Sequence, residues 1–90
     1  MLYVVIEHFR DGNAIPVYRR FRDRGRLASE KLKYVASWVT LDLTRCYQIM
    51  ECDDRSLLDA WMAQWSDLVD FEVASVMTSA DAVAKITPSL

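Results

Sequence analysis

Three side chains near the ends of predicted strands could transfer protons: Glu7, His8 and Glu51. A glutamate whose pKa is raised inside a pocket can act as a base or anchor a ligand. The single histidine could shuttle a proton or ligate haem iron. We favour a structural role for each, because a glutamate can accept a hydrogen bond from a tyrosine across strands and a strand-end histidine can be plain polar surface. The catalytic set is therefore unknown, with these three as candidates.

Aromatic residues and one arginine could line a pocket around these glutamates. Trp61 and Trp65 are one helical turn apart and should face the sheet, as core residues, pocket walls or both. Arginines crowd the first predicted helix, where we favour a solvated face with Arg22 reaching inward. The expected ligand-binding residues are Tyr3, Glu7, Trp38, Tyr47, Glu51, Trp61, Trp65 and Arg22.

Several function classes are disfavoured by what the sequence lacks. It has no Gly-rich phosphate loop, nucleophile elbow or metalloprotease helix, and no Cys/His spacing suited to zinc. We expect neither a metal nor a cofactor. The net charge of −2 gives no reason to bind nucleic acid or an anionic membrane. The third predicted strand also lacks the glycine of RNA-binding domains with a similar plan.

The hydrophobic pattern predicts the order strand, helix, strand, strand, helix, strand, followed by a short helix. This is an α+β, ferredoxin-like plan in one domain over residues 1–90, with an antiparallel sheet in the spatial order 4-1-3-2 and two helices on one face. We expect the first helix to follow an Asn13 cap and to end at Gly25 or to continue to Ala28 or Ser29. The predicted strands are Leu2–Phe9, Leu32–Leu41, Cys46–Cys52 and Asp70–Met77.

The strand register can be sketched, to within about two residues, from a two-residue turn at Leu43-Thr44. It places Val5 opposite Ile49 and Glu7 near Tyr47. One face of the sheet would then carry Tyr3, Val5, Glu7, Phe9, Tyr34, Trp38, Tyr47, Ile49 and Glu51. The other face would carry Leu2, Val4, Ile6, His8, Val35, Val39, Cys46, Gln48 and Met50. Glu7 and Glu51 would lie far apart, which disfavours a carboxylate pair that shares a proton.

Apolar residues occupy both parities of the first and third strands. A sheet with one wet face should alternate more regularly between apolar and polar residues. Both faces therefore look buried, which predicts that two sheets pack face to face in a homodimer.

The sequence resembles a family of small bacterial proteins catalogued as domain of unknown function 3303. The resemblance spans nearly the whole chain and is carried by Val5–Phe9, Val17–Arg22, Ser37–Val39, Cys46–Asp54 and Trp65–Val73. It implies a ferredoxin-like fold of the dimeric α/β-barrel type and no activity. More remotely, the plan is similar to antibiotic-biosynthesis monooxygenases and haem-degrading enzymes, but a shared fold does not fix function.

Cys46 and Cys52 fall on one predicted strand, where six steps separate them by about 20 Å, too far for a disulfide. We therefore expect reduced thiols. The sequence also shows no apparent secretory leader and no apolar run near the ~20 residues of a membrane span, so we expect a cytoplasmic protein.

Three hypotheses about function follow. The leading one is a homodimer that binds a small molecule in a cavity lined by aromatics and glutamate. The second is an enzyme of the monooxygenase or isomerase kind, cofactor-free or haem-linked, that uses Glu7, His8 or Glu51 for proton transfer. The third is a structural interaction module with a solid core and no pocket.

Overall fold

A computed structural model describes residues 1–90. Four strands and three helices follow one another in the predicted order, with short 3-10 turns at Arg10–Gly12 and Thr87–Ser89. The elements are β1 (Leu2–Phe9), α1 (Ile15–Arg24), β2 (Lys33–Val39), β3 (Arg45–Glu51), α2 (Arg55–Ala63), β4 (Val69–Val76) and α3 (Ser79–Ile86). None of the helices is long and apolar enough to cross a membrane.

The strands form one antiparallel sheet in the order β2-β3-β1-β4. This confirms the predicted spatial order and the α+β, ferredoxin-like class. α1 and α2 cover one face of the sheet, where Val17 and Leu58 join Val5 and Met50 in the buried core.

Local capping chemistry sets the helix ends. α1 has Pro16 in its first turn and ends at Arg24, because Gly25 takes a positive φ of 72° and its N–H closes on the carbonyl of Phe21. Of the two predicted ends, the earlier one is therefore correct. Asn13 accepts a hydrogen bond from the N–H of Ile15 at 3.1 Å, although the N-cap position itself belongs to Ala14.

The hairpin between β2 and β3 is wider than the predicted two-residue turn. β2 ends at Val39 and β3 begins at Arg45, so five residues connect the strands. The Asp42 carboxylate accepts hydrogen bonds from the hydroxyls of Thr40 and Thr44 and from the N–H of Thr44, which closes this longer loop. Trp38 consequently lies opposite Tyr47.

The predicted register between β1 and β3 was wrong by one residue. Val5 lies opposite Gln48 and Glu7 lies opposite Cys46. Because side chains alternate along a strand, this slip exchanges the faces of one strand relative to the other. Each predicted face therefore mixes residues from both sides of the sheet.

We call the two sides of the sheet the helix face and the open face. The helix face is covered by α1 and α2 and carries Tyr3, Val5, Glu7, Phe9, Ser37, Val39, Cys46, Gln48, Met50, Val69, Phe71 and Val73. The open face has no covering element and carries Leu2, Val4, Ile6, His8, Lys33, Ala36, Trp38, Arg45, Tyr47, Ile49, Glu51, Asp70, Glu72, Ala74 and Val76. A β-bulge between Tyr34 and Ala36 puts Tyr34 opposite Met50, on the helix-face side.

Candidate functional site

A cavity of about 230 Å³ lies between the helix face and the layer above it. Its floor is formed by β1, β2 and β3, and its walls by α1, by Arg26 in the link after α1, and by Trp61 and Trp65 of α2 and the turn beyond it. The lining residues are Glu7, Phe9, Val17, Tyr18, Phe21, Arg26, Ser37, Val39, Cys46, Gln48, Trp61 and Trp65. Most are apolar or aromatic, with few polar groups among them, as in small-molecule sites.

Glu7 supplies a carboxyl group to the cavity floor. It lies in β1 and is only 8% exposed, and both of its neighbours on the helix face of the strand are apolar. The side-chain amide of Gln48 donates a hydrogen bond to Glu7 Oε2 at 2.7 Å. Burial raises the pKa of Glu7 to about 7, against opposing contributions from the Cys46 thiol, the charge of Arg26 and the Gln48 hydrogen bond. Glu7 is therefore poised to gain or lose a proton near neutrality.

Arg26 provides the cation of the site, and two indoles fix its backbone. Nε1 of Trp61 and Nε1 of Trp65 both donate to the Arg26 carbonyl oxygen, at 3.0 and 2.9 Å. The guanidinium group lies 3.9 Å from the ring centroid of Tyr34 and 5.4 Å from that of Phe21. These cation–π contacts hold the guanidinium group of Arg26, which lines the cavity, in place.

A hydrogen-bonded chain links the cation to the carboxyl group. Arg26 Nη1 donates to Gln48 Oε1, and Gln48 Nε2 donates to Glu7 Oε2. Because the amide accepts on one side and donates on the other, its orientation is fixed. Gln48 keeps the two charged groups from pairing directly, which leaves guanidinium donors free for another partner.

Cys46 lies beside Glu7 on the helix face. Burial, followed by the charge of Glu7, raises the pKa of its thiol to about 12. The thiol is therefore neutral at physiological pH, and a neutral thiol is a poor nucleophile. Burial likewise raises the pKa of the Tyr18 hydroxyl in the cavity wall. In their neutral forms, both groups can offer hydrogen bonds to a ligand.

Of the residues expected from sequence to bind a ligand, three meet in this cavity: Glu7, Trp61 and Trp65. Tyr3 lies on the same face and is buried, but it is outside the cavity with its ring under the Arg55 guanidinium, at 5.5 Å. Trp61 and Trp65 are core residues that also line the cavity, so the two roles that the sequence left open coexist.

The remaining candidates lie away from the cavity. Trp38, Tyr47 and Glu51 are on the open face. The sketched register grouped them with Glu7 because it was off by one residue. His8 is also on the open face, where its Nε2 lies 2.6 Å from a carboxylate oxygen of Glu72. Arg22 does not reach inward.

Arg22 is exposed on α1 and pairs with Asp23, its neighbour in sequence, at 2.7 Å. The inward-reaching arginine is instead Arg26, which sequence reasoning missed because it treated this residue as part of a basic helix. Gly25 carried a usable signal, because a helix that ends there frees the next residue to turn inward.

Gln48 was also missed as a site residue. The signal lay in its position between Cys46 and Met50, which share its face, since a buried amide among apolar neighbours needs polar partners. The paired indoles gave a second signal, because buried tryptophan N–H groups require acceptors. No group of three or more His, Cys, Asp or Glu side chains could hold a metal ion.

The fold and this site define a ferredoxin-like α+β protein in which a buried carboxyl group and an arginine face one cavity. The chain belongs to the family described as domain of unknown function (DUF3303), whose model matches residues 1–90. The resemblance seen in the sequence is thereby confirmed, and the membership assigns no activity. No curated protein and no solved structure matches the chain.

Replacing Glu7 with glutamine should change how stability depends on pH. An ordinary glutamate has a pKa of 4.5, and in the folded protein Glu7 holds its proton up to about pH 7. Between these values the folded state binds more protons than the unfolded state, so the free energy of unfolding falls as pH rises, by about 3 kcal/mol at most. Glu7→Gln removes this loss, so the free energy of unfolding of the variant relative to that of the wild type should increase from pH 4.5 to 7.

Urea unfolding at several pH values, followed by circular dichroism, measures this effect. Glu30→Gln, which removes an exposed carboxylate from the link after α1, is the control and should follow the wild type. Parallel pH profiles for Glu7→Gln and the wild type would show that Glu7 titrates normally.

Proposed function

We propose that this protein binds a small molecule in the cavity lined by Glu7, Arg26 and aromatic side chains. The observation that carries the proposal is a partly apolar cavity that is lined by both a cation, Arg26, and a titratable carboxyl group, Glu7. The same cavity argues against a purely structural module, which needs only a filled core.

The geometry supports a ligand with an apolar, ring-sized body and an oxygen-bearing polar head. Phe9, Phe21 and Trp65 present apolar surface for the body. The head would meet the free donors of Arg26 and the carboxyl group of Glu7. A protonated Glu7 can donate a hydrogen bond and an ionised one can accept, so the site suits a head that exchanges a proton on binding.

A second candidate function is proton transfer by Glu7 to or from a bound substrate, as in a cofactor-free isomerase or oxygenase. The observation that favours it is the pKa of about 7 at a carboxyl group that faces the cavity. His8 and Glu51 are poorer candidates for this role, because they lie on the opposite side of the sheet.

We further propose that the open face pairs with the same face of a second copy. Leu2, Val4, Ile6 and Ile49 are half-buried there, and Trp38 is 62% exposed. Such an apolar patch on a small domain gains from burial by a partner. Both rims of the face carry charges of both signs, Lys33 with Glu51 at one end and Arg45 with Asp70 at the other, so a two-fold arrangement can pair opposite charges.

A cytoplasmic setting completes the proposal. Cys46 and Cys52 are both free and buried, which is the usual state of cysteines in a reducing compartment.

Ligand binding should depend on Arg26 and not on Arg22. In a thermal-shift screen of monocyclic aromatic compounds, with and without a carboxylate, we expect at least one to stabilise the wild type. Arg26→Ala should raise the Kd of that compound, measured by calorimetry, about tenfold or more, because a hydrogen bond to a charged group is lost. Arg22→Ala is the control, because it also removes a positive charge but one that lies outside the cavity. This variant should bind the compound as the wild type does. Stabilisation by no compound, or equal weakening by both variants, would contradict the proposal.

If the protein is an enzyme, Glu7→Gln should abolish turnover of an identified substrate while the substrate still binds. Removal of a positioned general base typically costs 10²–10⁴-fold in rate. Glu51→Gln should retain turnover, because that carboxylate faces the other side of the sheet. Full activity in Glu7→Gln would leave the residue with a structural and ligand-anchoring role only.

The homodimer is tested by light scattering of the full chain at micromolar concentration. We expect twice the chain mass of 10.4 kDa. Trp38→Asp places a charge on the exposed apolar surface of the open face and should dissociate the particle, whereas Leu41→Asp, in the exposed hairpin loop, should not. A folded monomer at these concentrations would refute the open-face interface.

A further inference from the structure

The C-terminal segment stands apart from the rest of the domain. Every residue of 77–90 is exposed, and α3 contributes no residue to the buried core. The radius of gyration is 14.9 Å, and the longest dimension is 48 Å. A compact domain of this length would have a radius of gyration of about 12 Å, so the chain is extended by this segment.

α3 has the pattern of a helix that packs against a surface. Helical spacing places Ala82, Val83 and Ile86 along one stripe, with Asp81 and Lys85 on the opposite side. Val83 is 62% exposed and Ile86 is 53% exposed. An isolated helix of eight residues is marginal in water, because helices this short depend on burying an apolar stripe.

The route of the chain into α3 explains why its own domain leaves that stripe uncovered. Only Met77 and Thr78 separate the end of β4 from the start of the helix. The Thr78 hydroxyl accepts a hydrogen bond from the N–H of Asp81 at 3.1 Å, which fixes the first turn. β4 is an edge strand, and its last residue, Val76, lies opposite Leu2 at the rim of the open face. α3 therefore leaves the domain at the border of the uncovered apolar surface.

We infer that α3 is an arm that packs its apolar stripe on a second copy of this chain, and that two copies exchange arms across the open-face dimer. The inference rests on the proposed homodimer. One chain carries two uncovered apolar surfaces that meet at one rim, the open face and the α3 stripe. In a two-fold pair each copy presents the same surfaces to the other, so one association covers both at once.

The size of the open face supports this choice of partner. Four strands spaced about 4.8 Å apart over roughly 20 Å give a flat area of roughly 400 Å². A standard interface buries about 800 Å² of accessible surface on each partner. The open face alone is therefore a small interface, and an exchanged arm enlarges it without requiring a different protein.

Two double variants that add the same charges test the arm. Val83→Asp with Ile86→Asp places aspartates on the apolar stripe, whereas Ala80→Asp with Ala84→Asp places them elsewhere on α3. In sedimentation equilibrium we expect the first pair to raise the dimer Kd at least tenfold and the second to leave it unchanged. An unchanged Kd in the first pair overturns the arm and leaves the open-face dimer standing. A wild-type chain that is monomeric overturns both.

A second measurement asks where the arm lies. Lys85→Cys offers an exposed thiol for a nitroxide label, since Cys46 and Cys52 are buried. The labelled chain, unenriched in ¹⁵N, is mixed with ¹⁵N-labelled wild type, so any broadening must cross between copies. We expect broadened amide signals near the rim of the open face, including β4. Dimers without such broadening would overturn the arm exchange.

Discussion

The burial of one carboxyl group connects the parts of this domain. Glu7 lies in β1 beneath both helices, and a buried polar group is costly unless it is hydrogen-bonded. Gln48 of β3 meets that need, Arg26 holds the orientation of Gln48, and two indole N–H groups hold the carbonyl of Arg26. One series of hydrogen bonds thus joins β1, β3, α2 and the link that follows α1. No buried side-chain polar atom is left without a partner.

The same hydrogen bonds create the space that a ligand could fill. An aliphatic residue in place of Glu7 would let the aromatic side chains close over it, since interiors pack densely. Instead, Trp61 and Trp65 are tied to the Arg26 backbone, and Arg26 is stacked against Tyr34. The two tryptophans are also core residues, so polar contacts act together with packing to fix their positions. The cavity is therefore a consequence of how Glu7 is satisfied.

Sequence reasoning reached the element order because it depends on local periodicity, and the sheet order follows from that element order. It failed on register because Leu2 to Ile6 is apolar at every position, so no alternation distinguishes one pairing from the next. The Thr40–Asp42–Thr44 loop then shifted the hairpin. Arg26 was missed because its partners, Trp61 and Trp65, are 35 and 39 residues away in sequence.

The corrected register also shows which apolar residues of β1 and β3 lie on the helix face and which lie on the open face. The helix face, which looks like an ordinary core, contains both buried polar residues, Glu7 and Gln48. The open face has its charges toward its rims, and Val4, Tyr47 and Ile49 of the two central strands lie near its centre. A sheet whose uncovered side is apolar and whose covered side is polar at its middle separates two tasks, since neighbouring residues of one strand point to opposite sides. The proposed ligand site therefore lies on the helix face and the proposed dimer interface on the open face, and a substitution on one side reaches the other only through the strand backbone.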